Sequence, residues 1–447
     1  MISALPTISQ AVEQIRGGSL TPLDLVEFCL DRIRRYEPQV RAWVRIDEAG
    51  ARREAERLGE LARAGTIVGP LHGIPVGIKD IIDVAGWPTL AGSRLRENHV
   101  ATSDAPVVAA LRAAGAILLG KTVTTEFACF DPPPTRNPWN LQHTPGGSSS
   151  GSAAAVSLGM CVAALGSQTG GSIIRPASFC GVVGLKPTIG AVPSDGVVPI
   201  SQYLDHVGPI ANCVADAREM FRAIRHTDRS TTAEVSADPF AAELPELWVL
   251  DGFFRDEAAP DVREVTARAV EKLLAAWPQD SSFVTPGPWP PASFAEVHAM
   301  HRRIMAVDAA AYHRDNFLRQ RSAFGEKVAS LIAEGLTISA IDYEAALQHQ
   351  QRFRSEMDAA LPDGWVAVMP ATCTPAPGLD STGDPKFNSP WSYSGSPAVT
   401  VPCGLAANGL PCGLQLVGRP NSEEQLLRAA ELCERLLSFQ ARPSLLE

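Results

Sequence analysis

The run Gly73-Ile-Pro-Val-Gly-Ile-Lys-Asp80 stands between a polar helical stretch and a long alternation of short apolar segments, and the rest of the chain is read from it. It is apolar enough for a strand buried on both faces, yet it carries Lys79, where a solvated charge is out of place. Around it, β-like runs at 74–82, 116–119 and 162–165 alternate with helix-like runs at 104–114 and 152–159. That rhythm predicts an α/β fold: a large, mixed, twisted central sheet covered by helices on both faces. Upstream, residues 7–36 read as two short helices, with Ser9 and Thr21 near the N-caps and Pro22 in a first turn, and a third helix covers 47–64.

Downstream of the alternation, 228–245 reads as a polar surface connection, followed by a strand at 247–251, a helix at 261–276 and a Pro-rich loop at 286–291. Residues 293–360 are mostly helical, and β-like segments return at 365–369, 397–402 and 412–416 before an amphipathic helix at 422–437. No repeat or long linker divides the chain. A single domain over 1–447 is expected, with an N-terminal helical part (1–65), a core (73–225), a variable helical insertion on the substrate side (228–360) and a return to the core sheet (365–447).

The 447 residues are 45% hydrophobic and 20% charged, too apolar for a disordered chain. A net charge of −10 with scattered charges argues against nucleic-acid partners and against a cationic membrane helix. No run approaches the roughly 18 apolar residues of a membrane span. The start Met1-Ile-Ser-Ala-Leu-Pro6 lacks the features of a signal peptide, so a cytoplasmic location is expected. The nine cysteines never form C-x-x-C and read as reduced small hydrophobes. His298 and His301 form an H-x-x-H that reads as a surface helix face rather than a metal site, so neither metal nor cofactor is expected.

Two motif matches mislead. Gly147-x-Ser149-x-Gly151 fits a nucleophile elbow, but the Pro-containing segment 137–145 before it lacks the strand an elbow requires. Gly115-Ala-Ile-Leu-Leu-Gly-Lys121-Thr122 fits a phosphate-binding loop, but Ala-Ile-Leu-Leu between its glycines reads as a strand. A third reading joins the serine-rich loops to Lys79. A buried lysine loses its proton more readily, by up to about 3–5 pKa units, so neutral Lys79 is a candidate base. Alternation points Asp80 to the opposite face from Lys79, which keeps that carboxylate from opposing the role.

Lys79, the segment Thr144-Pro-Gly-Gly-Ser-Ser-Ser-Gly-Ser-Ala-Ala-Ala155 and the segment Gln168-Thr-Gly-Gly-Ser-Ile-Ile-Arg-Pro-Ala177 resemble the three core motifs of the amidase signature family. The 24-residue interval from Ser148 to Ser172 agrees with the family's spacing, and similarity extends over 73–437, weakest at 228–345. The chain departs from the pattern at Gln168, where the family often has Asp, and at Ser150, where it often has Gly. Gln supplies no charge, so any stabilisation of the loop there must come from amide hydrogen bonds.

The resemblance implies a Ser–cis-Ser–Lys amidohydrolase with a cis peptide between Gly147 and Ser148. In that pattern Ser172 attacks the acyl carbon while its proton passes to Ser148 and on to Lys79. Backbone N–H groups of Thr169, Gly170, Gly171 and Ser172 would form the oxyanion hole. Phe127, Gly147 and Ser149 are candidates for substrate contact, and Glu126 and Arg175 for structural bracing. Phe130, Tyr203 and the aromatic and Met-containing parts of 293–320 and 387–393 are candidate pocket residues, pointing to a small apolar or aryl amide, with carbamate and ester bonds as further candidates. The alternative is the glutaminase-type component of a tRNA-dependent amidotransferase, which delivers ammonia to a partner. A scaffold with a dead site is disfavoured by the three intact positions. A monomer or a homodimer is expected.

Overall fold

A computed structural model of the protein describes residues 4–226, 244–277 and 289–446. The connection expected at 228–245, apart from its last two residues, and the first half of the Pro-rich loop at 286–291 lie outside the described residues. The first half of the chain runs α1 (Ile8–Arg16), α2 (Pro22–Val40), β1 (Trp43–Ile46), α3 (Glu48–Arg63), β2 (Pro75–Lys79), α4 (Pro106–Ala113), β3 (Ile117–Thr122), α5 (Ser150–Ser157), β4 (Ala163–Gln168), α6 (Ile174–Phe179), β5 (Val183–Lys186), β6 (His206–Ala211) and α7 (Val214–Ile224). The second half adds β7 (Glu246–Val249), α8 (Phe253–Asp256), α9 (Pro260–Ala276), α10 (Val297–Gln320), α11 (Glu326–Gly335), α12 (Ala340–Ala360), β8 (Trp365–Pro370), α13 (Ser389–Ser394), β9 (Ala398–Leu405), β10 (Pro411–Val417) and α14 (Glu423–Leu437). Among the described residues no helix is long and apolar enough to cross a membrane.

The ten strands among the described residues join one sheet in the order β1-β3-β2-β4-β6-β5-β9-β10-β8-β7. β2 pairs in parallel with β3 and β4, and β7 with β8, whereas the other neighbours are antiparallel, so the sheet is mixed. Side-chain alternation divides its residues between two cores. Leu118, Ala163 and Leu165 pack with the apolar faces of α1, α4 and α7, while Ile117, Leu119 and Ala164 pack with those of α2, α3 and α5. Helices therefore cover both faces, as the alternating pattern predicts.

The helix ends follow cap chemistry. Thr21 caps α2 in a reciprocal pair with Asp24, and Pro22 occupies its first turn. For α1 the cap is Thr7 rather than Ser9, and α2 extends to Val40, longer than the short helix expected. Three strands, β1, β5 and β6, are not evident from the sequence pattern. β6 contains Pro209, yet it pairs with β4 along its whole length. The segment resembling a phosphate-binding loop is β3 itself, and a Cβ on Gly120 would overlap the Arg45 carbonyl oxygen. That glycine lets β1 approach β3; it frees no amide for a phosphate.

Lys121, from the same strand, meets Asp80 at 2.9 Å with both side chains buried. Removing one member of a buried pair strands the other's charge and typically costs about 3–5 kcal/mol. Lys121→Met is expected to lower the unfolding free energy by about that amount in a urea titration; a loss below about 1 kcal/mol would mean that Asp80 finds other compensation.

Candidate active site

β2 and β4 run parallel side by side, so their last residues, Lys79 and Gln168, reach the same edge of the sheet, where open α/β folds place their sites. Lys79 is wholly buried. Its Nζ donates to Ser148 Oγ at 2.6 Å and to Ser167 Oγ at 2.8 Å. Burial pushes the ammonium well below its ordinary pKa, and the nearby Asp205 carboxylate opposes that shift in part. Asp80 faces Lys121 instead, as the alternation of side chains requires.

The loop before α5 is held by its own polar groups. Ser150 Oγ donates to the Gly146 carbonyl at 2.6 Å, and Arg175 Nη2 donates to that of Gly147 at 2.8 Å. The Gly147–Ser148 peptide is cis. Ser149 Oγ donates to the Ser167 carbonyl and accepts from its N–H, both at 3.2 Å, which ties the loop to β4. Among the described residues no strand leads into this segment, so the elbow motif has no structural counterpart.

Between β4 and α6, residues 168–172 are anchored through side chains and carbonyls. Gln168 Oε1 accepts from the N–H groups of Ile173 and Ile174 at 2.9 and 3.0 Å, and its Nε2 donates to Ser392 Oγ at 3.1 Å. A neutral amide therefore does here what the sequence demanded of it. Ser392 Oγ donates to the Gly170 carbonyl at 3.0 Å, and Thr169 Oγ1 donates to Asp205 Oδ1 at 2.6 Å. The N–H groups of Gly170, Gly171 and Ser172 have no partner among the described residues. A Cβ at Gly171 would come within 2.5 Å of Asn388 Oδ1, so only glycine fits the turn.

Ser172 and the loop glycines open onto a cavity of ≈ 280 Å³, lined also by Phe130 and Met305 and by the polar or charged His298, Arg175, Asp384 and Lys386. Several expectations need correction. His298 and His301 do not form a surface helix face: both line this cavity, and His301 is buried with Nε2 2.9 Å from the Thr169 carbonyl. The helical spacing holds, but α10 turns that face inward. None of Phe127, Gly147 or Ser149, the expected substrate contacts, lines the cavity. The Phe127 ring is buried against His313 and Phe324, the Gly147 carbonyl is engaged by Arg175, and the Ser149 hydroxyl by Ser167. Tyr203 is partly exposed outside the cavity, and the aromatics of 387–393 join a buried cluster with Phe254 and Trp289. Glu126 braces backbone as expected, accepting from Ser93 Oγ and the Gly325 N–H, each at 2.6 Å.

An amine whose pKa burial lowers, a hydroxyl against it and a loop whose N–H groups have no partner among the described residues form an arrangement able to take a proton from a nucleophile and to hold an oxyanion. The amidase family model matches residues 24–427. The chain belongs to the amidase family. This amidase is a hydrolase of carbon–nitrogen bonds, and a glutamyl-tRNA(Gln) amidotransferase subunit from Roseiflexus castenholzii is 36% identical to it, over 98% of this chain and 96% of that protein. Among solved structures, the peptide amidase from Stenotrophomonas maltophilia is similar at 29% identity with a TM-score of 0.84, covering 99% of both chains. A chain from a vestigial protein complex, described as revealing the origins of an s-triazine catabolic enzyme, is 29% identical with a TM-score of 0.88, covering 98% of this chain and 100% of that one.

Sequence reasoning missed Ser167, Asp205 and Ser392, and it placed His301 on the surface. Asp205 had a readable signal, a carboxylate directly before the apolar run of β6, the same anomaly that marked Lys79. Burial pushes the His301 pKa down to about 4, so the ring is neutral and its Nε2–H donates to Thr169. Nitrogen NMR of selectively labelled protein is expected to show a non-titrating Nε2–H tautomer for His301 between about pH 5 and 8. A ring that gains a proton within that range would place the histidine in a wetter setting than its burial indicates.

Proposed function

We propose that this amidase hydrolyses the terminal carboxamide of a small polar substrate through an acyl-enzyme on Ser172, releasing ammonia in the manner of a glutaminase-type amidotransferase component. The observation that carries the reading is the 2.6 Å contact between Lys79 Nζ and Ser148 Oγ beside the unpaired N–H groups of the Ser172 loop. Lys79 in its neutral form takes the Ser148 proton as Ser148 takes that of Ser172, and the Ser172 Oγ–carbon bond forms. The carbonyl oxygen becomes an oxyanion and is met by the loop N–H groups. Collapse of this intermediate breaks the carbon–nitrogen bond, and Ser148, supplied again from Lys79, protonates the leaving amine. Water then repeats the relay and releases the acid.

The substrate reading rests on the cavity. Arg175, Lys386, Asp384 and His298 around ≈ 280 Å³ suit a small carboxamide bearing its own charges better than the apolar or aryl amide expected from sequence. End-to-end similarity to glutamyl-tRNA(Gln) amidotransferase subunits supports transfer of the ammonia to a partner protein. A stand-alone amidase is the second reading, favoured by the likeness to a peptide amidase over 99% of the chain. Ammonia release by the purified chain from glutamine, short aliphatic carboxamides, peptide amides and anilides separates the two. Full turnover of peptide amides or anilides without a partner supports the second. Trace turnover confined to glutamine-like amides supports the first.

Ser172→Ala and Lys79→Ala are each expected to abolish turnover in a protein that still folds, and Ser148→Ala to lower the rate by about three orders of magnitude or more. A fluorophosphonate is expected to label Ser172, as read by peptide mass spectrometry; labelling of Ser149 in its place would overturn the scheme.

The sign of the pH dependence follows from Lys79. The active form is the neutral amine, so kcat/KM rises with pH as Lys79 loses its proton. Because burial lowers its pKa, the plateau is expected well below the ordinary lysine value of about 10.4. An acid limb that persists to the ordinary value would show that Lys79 stays charged and is not the base.

A further inference from the structure

The hydrogen bonds that hold Thr169 do not stop at the active site. Thr169 Oγ1 donates to Asp205 Oδ1 at 2.6 Å, and Asp205 Oδ2 accepts from the N–H groups of Ile200 and Ser201 at 2.8 and 3.0 Å. Ser201 Oγ in turn donates to Asp308 Oδ2 at 2.5 Å, and Tyr343 OH donates to Asp308 Oδ1 at 2.5 Å. Asp308 lies on α10 and Tyr343 on α12. A continuous polar chain thus runs from α12, through α10 and the turn before β6, to the loop of the nucleophile. α10 reaches the same residue a second time, through His301 on the Thr169 carbonyl at 2.9 Å.

We propose that Asp205 is a positioning residue, and that the chain Tyr343–Asp308–Ser201–Asp205–Thr169 lets the helical layer α10–α12 set the geometry of the oxyanion loop. The inference rests on the proposed role of that loop. Three features favour it over plain structural bracing. Asp205 grips the side chain of Thr169, and His301 its carbonyl, so the residue is fixed from both sides while the N–H groups that follow it have no partner among the described residues. With Gln168 neutral, Asp205 is the carboxylate that bonds this loop directly. The carboxylate oxygens of Asp205 and Asp308 together accept from five donors across Ser201, an arrangement that defines one position for the turn rather than a range. The helical layer also supplies Met305 and His298 to the cavity wall, so substrate contact and loop geometry are set by one element.

The test uses the full chain and a fluorophosphonate, whose phosphonyl oxygen occupies the oxyanion position as Ser172 is modified. The rate of modification at saturation and the reversible affinity are measured separately for Thr169→Val, Thr169→Ser, Asp205→Asn and Tyr343→Phe. Losing one charge-assisted hydrogen bond is expected to slow modification by about 10- to 100-fold in Thr169→Val, with affinity within about twofold of the parent. Thr169→Ser, which keeps the hydroxyl, is expected to stay within about threefold, and Tyr343→Phe, remote from the cavity, to slow modification by about threefold or more. A folded Thr169→Val or Tyr343→Phe variant that reacts at the parent rate overturns the proposal, as does a Thr169→Ser variant as slow as Thr169→Val. Asp205→Asn is included because it retains the shape; modification at the parent rate in that variant also overturns the proposal. Failure of the parent chain to be modified at Ser172 is a different result, one that removes the underlying reading of the loop.

Discussion

The burial of Lys79 with no carboxylate hydrogen-bonded to it among the described residues is the constraint on which the site depends. A lysine at the end of a central strand has either to find an anion or to give up its proton. Among the described residues its polar contacts are the hydroxyls of Ser148 and Ser167 and, at 3.5 Å, the Ser167 carbonyl. Hydroxyls satisfy a neutral amine as well as a charged one, and the low dielectric then favours the neutral form. The anion such a residue would otherwise take is next to it in sequence, but the alternation of the strand sends Asp80 to Lys121. One strand thus separates two buried lysines by function: Lys121 is matched to a charge, and Lys79 is left beside alcohols.

A second requirement follows from the first. A weak base can help a serine attack only if the developing oxyanion is met by donors already in place, and donors held ready have to be kept from pairing with the protein. The loop 168–172 achieves this by using other groups for its anchorage. Gln168 bonds with its amide, Thr169 with its hydroxyl and carbonyl, and Gly170 with its carbonyl, which leaves N–H groups over. The turn brings Gly171 so close to Asn388 that no side chain fits, and the packing that fixes the loop also keeps it bare.

Much of this was legible in the chain. The strand around Lys79, the βα alternation, the two serine-rich loops and the braces at Glu126 and Gln168 could all be read, because each rests on local pattern or on a residue out of place in its segment. What escaped depends on tertiary pairing. β6, interrupted by Pro209, has little strand character of its own and is a strand because β4 and β5 flank it. The inward turn of His298 and His301 has the same origin: helical spacing shows that they share a face but not what lies opposite. Phe127 and the aromatics of 387–393 were misjudged for the complementary reason, since an aromatic near a motif packs in the core as readily as it lines a pocket.

The polar chain through Asp205 and Asp308 was beyond reach in the sequence for a stricter reason. Its members lie at 169, 201, 205, 308 and 343, on separate helices and turns, and every link is a contact between groups distant in sequence or oriented by a turn. Burial pushes both carboxyls up, bringing Asp205 to about 6, and the nearby Asp308 adds to the shift of Asp205. Thr169, Ile200 and Ser201 offset that cost at Asp205, and Ser201 and Tyr343 at Asp308, where the bond from Ser201 lasts only while the helical layer is in register with the core. The helical layer is therefore tied to the loop at a few polar points. Between those ties, at His301 and Asp308, α10 presents Met305 to the cavity.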